Sequence, residues 1–483
     1  MHALSLGFAA LLARTVAAAS FLHTCNKIAG NISDASAVFF PPAATYETDI
    51  FHVFSSSSQN STCSVEPGTP QDVANILKIL GQDRVPWAVK SGGHATNEGW
   101  SSTPGVQITL SRFNTTQFDP STGIATVGTG QIWDKVYAAL EPFNVSVAGS
   151  RISDVGVGFN LGGGYSWTTN QVGLSCDTTL EYELVTPTGK ILTVNNETSP
   201  DLFFGLKGGG NNFGIVTQLK MTTKPQTAVF GGLVVLNSSA IPAIHDVLAA
   251  FQDNNTDPKA AISATYGFDP SQGGVFASYF LFYDAPTPPE GLFDALFALP
   301  TASNGLATQS YASLISALQG PPRSSRANWR SISIRNYTAP LLAHIMDQLG
   351  TNGPDVFNHT GSALEFGIEL MLPTIFSHHA GQPTAYVHDP DNVAFPSLVI
   401  ASWDDVSEDA HIQGVLKGID ESVVAFGNSE GQNLNSTFLY PNYASFDTPS
   451  ERLFGDQIPR LRQIQLEVDP TGLTNLTGGW KFQ

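Results

Sequence analysis

Between Gly149 and Tyr165 the chain reads Gly149-Ser-Arg-Ile-Ser-Asp-Val155-Gly156-Val-Gly158-Phe159-Asn-Leu-Gly162-Gly163-Gly164-Tyr165, with five glycines among residues 156–164. No ordinary strand or helix carries that density, because each glycine adds backbone entropy that folding has to remove. Val155, Val157, Phe159 and Leu161 interleave with the glycines, which sets the run apart from flexible linkers rich in serine and polar residues. The main chain here must approach something closely, and amides packed against a diphosphate are the physical reason for keeping such a run.

Two further glycine turns bracket it. Upstream, Trp87-Ala-Val-Lys-Ser91-Gly92-Gly93-His94 is a short apolar strand that breaks at two glycines and presents a histidine. Taken alone, this octapeptide also describes a hairpin turn with a half-exposed His, since short glycine motifs often match by chance. Downstream, Pro200-Asp-Leu-Phe-Phe-Gly-Leu-Lys-Gly208-Gly209-Gly210-Asn-Asn-Phe-Gly214-Ile-Val216 places a third cluster before a strand. No G-x-G-x-x-G opens a helix after a strand with an acid downstream, and Walker A and zinc-site spacings are missing.

Periodicity places a helix over 71–80 and strands at 87–89, 106–110 and 123–127, followed by a helix over 131–140. Strands at 182–186 and 191–194 flank a Pro-Thr-Gly turn and read as a hairpin. Past Pro225 longer apolar segments take over, so a domain boundary falls near residue 226. Helical patterns at 305–318 and 339–349 with strands at 363–371 and 397–403 imply a mixed sheet covered by helices. Phe438-Leu-Tyr440-Pro-Asn442-Tyr443 alternates as a strand, with Phe438, Tyr440 and Asn442 on one face and Tyr443 on the other. Residues 461–468 read as a helix.

The first 19 residues end in Ala17-Ala-Ala19 after an apolar run too short to span a bilayer, as a cleaved signal peptide does. Eleven Asn-X-Ser/Thr triplets begin at Asn31, Asn60, Asn114, Asn144, Asn196, Asn237, Asn254, Asn336, Asn358, Asn435 and Asn475. That density along the chain points to a secreted, extracellular glycoprotein, with no later segment apolar enough to anchor it in a membrane. A formal net charge of -19 argues against nucleic acid or an anionic membrane surface as partner. Of three cysteines, Cys25 and Cys63 flank a loop-rich segment and are the expected disulfide, which leaves Cys176 as a small buried hydrophobe.

Taken together, Ser91-Gly-Gly-His94, Val155-Gly-Val-Gly158 with Leu161-Gly-Gly-Gly164, Gly173-Leu-Ser-Cys-Asp177, the Pro200–Gly210 cluster and Asn212-Phe-Gly214-Ile-Val216 resemble the FAD-linked oxidoreductases of the vanillyl-alcohol-oxidase superfamily. The resemblance is to the berberine-bridge-enzyme-like branch, particularly its fungal secreted members, and Tyr440-Pro-Asn442-Tyr443 and the tail from Arg460 to Pro470 extend it to nearly the whole chain. It implies an α+β fold in which a PCMH-type FAD-binding domain is split into pieces at 20–225 and 431–483 around an inserted substrate domain at 226–430, built on a mixed or antiparallel sheet covered by helices. It further implies FAD held by Ser91, Gly92, Gly93, His94, Val155, Gly156, Gly158, Gly162, Gly163, Gly164, Asp177, Gly214, Val216, Asn442 and Tyr443.

By the same resemblance His94 carries FAD covalently. Many relatives add a second bond from a Cys where this chain has Ile152, so a single link is expected. Tyr440 matches a tyrosine that serves as base or proton relay in some relatives; a core aromatic with a satisfied hydroxyl is the competing reading. A glutamate base used by other relatives is replaced by Leu398, upstream of Trp403, leaving Glu365, Glu369, His378 and His379 without motif support. Val155 matches a site linked to oxygen access, and Phe159 stands where most relatives have Gly. The expected activity is hydride transfer from an alcohol, carbohydrate or secondary metabolite to FAD, with O2 as acceptor and H2O2 as product, by a monomer with a small-molecule substrate and no metal. A dehydrogenase using another acceptor and a non-catalytic binding glycoprotein are the alternatives.

Overall fold

β1 (Ala37–Phe39), β2 (Cys63–Glu66), β3 (Trp87–Lys90) and β4 (Val106–Thr109) form a four-stranded sheet in the order β1-β2-β4-β3. The structure is a computed structural model, and it describes residues 19–318, 325–378, 382–387 and 389–482. The leader therefore lies outside the described residues apart from Ala19, and His379 lies outside them too. β2 and β3 both run parallel to β4, so their connection must cross over, and the helix Pro70–Asp83 supplies the crossover. Thr69 starts that helix by accepting the Asp72 N–H at 3.1 Å, ahead of Pro70 in the first turn. The Cys25–Cys63 disulfide is formed, and Cys176 is a buried free thiol.

A second sheet, antiparallel throughout, combines β5 (Thr116–Asp119), β6 (Ile124–Gly128), β8 (Thr179–Val185), β9 (Ile191–Val194) and β10 (Ile215–Thr222) in the order β5-β6-β10-β8-β9. The short strands β7 (Val145–Ser146) and β11 (Lys224–Pro225) pair beside it.

The chain then enters a larger sheet. β12 (Val229–Leu236), β13 (Ala260–Asp269), β14 (Gly274–Tyr283), β15 (Thr301–Asn304), β16 (Ala307–Gln309), β17 (Arg326–Ile334), β18 (Leu364–Leu370) and β19 (Phe395–Trp403) run in the order β15-β12-β14-β13-β18-β19-β17, with β16 also on β12. Every pairing is antiparallel, one of the two forms expected for this sheet. The helices Ala339–Thr360 and Asp409–Ser429 cover one face. Leu364, Phe366 and Ile368 of β18 point into that covered core. The alternation of the strand puts Glu365, Gly367 and Glu369 on the opposite face, which roofs a cavity and carries the short helix Tyr311–Ala317 over β12 and β14.

Three local expectations change. Residues 305–318 hold β16 and the short helix Tyr311–Ala317 in place of one helix. The helix from Ala339 continues through Gly350, Gly353 and Pro354 to Thr360, and at Gly353 it lies against the Phe268 side chain, where a Cβ would overlap it. Residues 438–440 pair with no strand and 441–443 form a turn, with the Tyr443 N–H on the Tyr440 carbonyl at 3.0 Å.

The C-terminal segment returns to the first two sheets. Asn97 bonds Ala444 O and the Phe446 N–H, Trp87 Nε1 donates to Leu473 O, and Asn212 Nδ2 donates to Trp480 O.

Candidate active site

Lys90 ends β3 with its ammonium on the Thr48 and Phe51 carbonyls, 2.8 Å from each, and burial lowers its pKa to about 8. The Ser91–His94 turn follows, with Gly93 at φ +74° and its carbonyl accepting the Val53 N–H. Gly92 lies directly against Gly156, so a Cβ on either would overlap the other's main chain. The bonds from Trp133 N to Val155 O and from Val157 N to Gln131 O hold the other side of this segment. Much of the glycine density therefore serves chain-on-chain contact. Gly162 leaves room for the Asn442 side chain, Gly214 lies against Val185 O, and Gly163 and Gly164 accept the Cys176 and Ser175 N–H groups through their carbonyls.

Gly158 and Gly210 differ. A Cβ on Gly158 would find nothing nearer than Ser91 Cβ at 3.9 Å, and one on Gly210 nothing within 4 Å. Both border open space. A cavity of about 550 Å³ lies between the glycine turns and the Glu365–Glu369 face of the large sheet, and one of about 230 Å³ lies deeper in the first two sheets. Val89, Ser91, Trp100, Gly158 and Asn442 are walls of both.

The sequence-predicted residues divide between these spaces. Gly92, Gly93, His94, Val155, Gly156 and Tyr443 line the larger cavity; Gly162, Gly214 and Val216 line the smaller; Ser91, Gly158 and Asn442 line both. Half-buried His94 sets its ring edge-on to Phe54, with centroids 6.5 Å apart. Ile152 and Phe159 also line the larger cavity, Phe159 against Trp133. Gly163, Gly164, Asp177 and Tyr440 line neither. Asp177 accepts the Leu174 N–H and closes a turn. Tyr440 is fully buried, packs on Tyr165 and accepts a 2.7 Å bond from Asn442 Nδ2, so the core-aromatic reading describes its position.

FAD is the group the glycine motifs imply, and the residues fit it. The smaller cavity is walled in part by the open backbone of Gly158 and Gly210 and by Ser101 Oγ and Trp480 Nε1, buried donors with no protein partner. Such donors need an acceptor when dry. Ser91, Gly158, Trp100 and Asn442, shared by both cavities, would hold the cofactor where they adjoin.

A charged cluster faces the larger cavity from the opposite side. Arg151, from the glycine run, places Nη2 2.6 Å from Glu369 Oε1 and 2.7 Å from the Tyr443 hydroxyl. That hydroxyl donates to Glu369 Oε1 at 2.8 Å. Glu369 Oε2 is buried with no hydrogen-bond partner. Burial opposes the Arg151 charge, yet the Glu369 carboxylate beside it holds the guanidinium above its usual pKa. Burial likewise keeps the Tyr443 phenol well above its ordinary value, so it remains protonated. His378 instead bonds the Asn170 carbonyl and lines neither cavity. Sequence reading assigned Arg151 no role. The available signal was the β18 alternation, which sets two carboxylates on one face of an otherwise apolar strand.

A split α+β scaffold of this kind, with a two-part cavity between glycine turns and the inserted sheet, defines an FAD-binding oxidoreductase. The family profile described as FAD binding domain matches residues 61–195. The FAD-dependent monooxygenase drtC of Aspergillus calidoustus is 30% identical over 446 residues, covering 88% of this chain and 84% of that protein. The 6-hydroxy-D-nicotine oxidase of Arthrobacter nicotinovorans superposes with a TM-score of 0.78 at 19% identity, covering 93% of this chain and 98% of the other. A variant of berberine bridge enzyme superposes with a TM-score of 0.76 at 17% identity, over 94% of this chain and 98% of that one. The chain belongs to the FAD-dependent oxidoreductase family of that Aspergillus protein, and its fold is the one shared by the nicotine oxidase and berberine bridge enzyme.

Proposed function

We propose that this enzyme is a secreted oxidase of an alcohol, carbohydrate or secondary metabolite, with FAD bound through a single covalent link at His94. The observation that carries the catalytic part is the buried, unpartnered Glu369 Oε2 at the larger cavity, on a carboxylate fixed by Arg151 and Tyr443. A carboxylate so placed accepts the proton of the substrate X–H group as the adjacent C–H gives up its hydride. Arg151 and the Tyr443 hydroxyl both engage Oε1, which fixes the carboxylate and leaves the other oxygen unbonded for substrate. Phe280, Trp329, Leu398 and Ile400 form an apolar wall that excludes water, and Ser263, Thr265 and Ser278 offer hydroxyls to a polar substrate. FAD, when bound, supplies the hydride acceptor and passes the two electrons to O2, giving H2O2.

Two features support secretion. All eleven sequon asparagines are exposed, against four of the sixteen others, and the Cys25–Cys63 disulfide suits an oxidising compartment. Among the described residues no helix is long and apolar enough to cross a membrane.

Anaerobic substrate addition from a panel of alcohols, sugars and phenolic metabolites tests the reading. Flavin bleaching, recovery in air and one H2O2 per product are expected. Bleaching without recovery in air would establish a dehydrogenase, and no bleaching with any compound a binding protein. The name of the Aspergillus relative adds a further outcome: label from ¹⁸O2 in the product would establish a monooxygenase.

A further inference from the structure

We propose that Asp355, His359 and His411 form a binding site for a divalent transition cation of the zinc type, on the exposed junction of the helices Ala339–Thr360 and Asp409–Ser429. Asp355 and His359 stand one helical turn apart on the first helix, and His411 lies in the first turn of the second. His411 Nε2 is 2.8 Å from Asp355 Oδ2, and His359 Nε2 is 3.7 Å from Asp355 Oδ1. The three ligand atoms lie within 4.8 Å of one another. Metal–ligand bonds of about 2.0–2.2 Å put the ligand atoms of a tetrahedral ion roughly 3.3 Å apart. The side chains are 40–49% exposed and can reach that spacing by small rotations.

A second carboxylate argues for a built site. Glu408 Oε2 lies 2.9 Å from His359 Nδ1. Because an ionised carboxylate only accepts, Nδ1 carries the hydrogen, and the Nε2 lone pair is turned toward Asp355 and His411. This is the carboxylate–histidine–metal relay that fixes tautomer and ring orientation around bound metals. Binding at Nε2 would replace the hydrogen bond of His411 to Asp355, with the ring hydrogen carried on Nδ1, and leave the remaining coordination position to water. Two imidazoles with one carboxylate select Zn²⁺ over Mg²⁺ or Ca²⁺, which take oxygen ligands. Both helices back the sheet on the face away from the cavity, so the ion would staple them together without entering the reaction.

Untagged, chelator-treated holoenzyme titrated with ZnCl2 in a calorimeter tests the proposal. One saturable site with a rise in Tm is expected, and none with MgCl2. His359→Ala and His411→Ala should each weaken binding at least tenfold, and Glu408→Gln by about 10–100-fold. His359→Ala keeps the Asn358-X-Thr360 triplet, so glycosylation does not confound it. An unchanged flavin spectrum verifies each variant's fold. Absence of zinc binding, or binding unaltered in the double histidine variant, would overturn the site.

Discussion

Arg151 and Glu369 form an ion pair of 2.6 Å in which the arginine side chain is 11% exposed and the glutamate 3%. It joins the glycine-rich segment to the central strand face of the inserted sheet, so one contact both aligns the two halves of the cavity and orients the proposed base. A buried pair of this kind is costly to break from one side, because the surviving charge is left uncompensated. Arg151→Met should destabilise the protein by about 3–5 kcal/mol. Glu369→Gln in the same chain should recover much of that loss without restoring turnover. Thermal unfolding of the two single variants and the double variant checks the coupling; additive effects would refute it.

Glu369→Gln keeps the size and the hydrogen bond from Tyr443 but removes the basic oxygen. Turnover should fall about 10²–10⁴-fold, the usual contribution of a positioned general base. Flavin content and absorbance should be unchanged, since Glu369 lines only the larger cavity. Stopped-flow measurement of flavin reduction isolates the step. A variant reduced at the wild-type rate would rule out Glu369 and return attention to Glu365 on the same face.

His94 is the proposed covalent hold on FAD, and Ile152 lines the same cavity with no thiol to add a second. His94→Ala should therefore release all flavin into the supernatant on acid precipitation, whereas wild-type flavin stays with the polypeptide. Flavin retained by the precipitated variant would refute the linkage.

The glycine turns, the antiparallel strands and the crossover helix were legible because their signals are local: periodicity, a Thr-Pro helix start, and glycines too dense for regular structure. The partners of those glycines were not. Gly92 and Gly156 are 64 positions apart, and only the fold shows that they touch each other. Tyr440 and Tyr443 were sorted by strand alternation, but Pro441 begins a turn, and the turn takes Tyr443 to the cavity while Tyr440 stays in the core. Arg151 escaped notice because it stands among glycines with its carboxylate partner 218 residues away.

Beneath the His94 turn, two buried groups titrate in opposite directions. Burial raises the pKa of Asp49 to about 6, partly offset by the Ser64 hydroxyl, and burial lowers that of His52 to about 4. Asp49 thus contributes stability below its unfolded pKa of about 3.9 that is lost as pH rises through 6. His52 contributes stability above its unfolded pKa of about 6.5 that is lost as pH falls toward 4. Between pH 4 and 6.5 the two partly cancel. Asp49→Asn leaves only the His52 dependence, so its stability relative to wild type should rise from pH 4 to pH 7, by on the order of 2–3 kcal/mol. Denaturant unfolding across that range measures the slope, and a difference independent of pH would contradict it.

Gly156 and Gly158 separate the two uses of glycine in the run. Gly156 has φ -75° and ψ 159°, values open to any residue, so alanine there meets no backbone strain and only the overlap with Gly92 and Ser91. Gly156→Ala should force the His94 turn away and cost about 1–3 kcal/mol, the usual penalty of overpacking. Gly158→Ala adds its methyl to open space between the two cavities and should leave the apoprotein's stability within about 0.5 kcal/mol of its parent. Its effect should fall on the cofactor, which Gly158 would hold where the two cavities adjoin. Tested in the His94→Ala background, from which flavin can be stripped, Gly156→Ala should lower the apoprotein Tm, while Gly158→Ala should keep the Tm and weaken FAD rebinding at least tenfold. Equal FAD affinity in the Gly158→Ala protein and its parent would show that the cofactor does not use this gap.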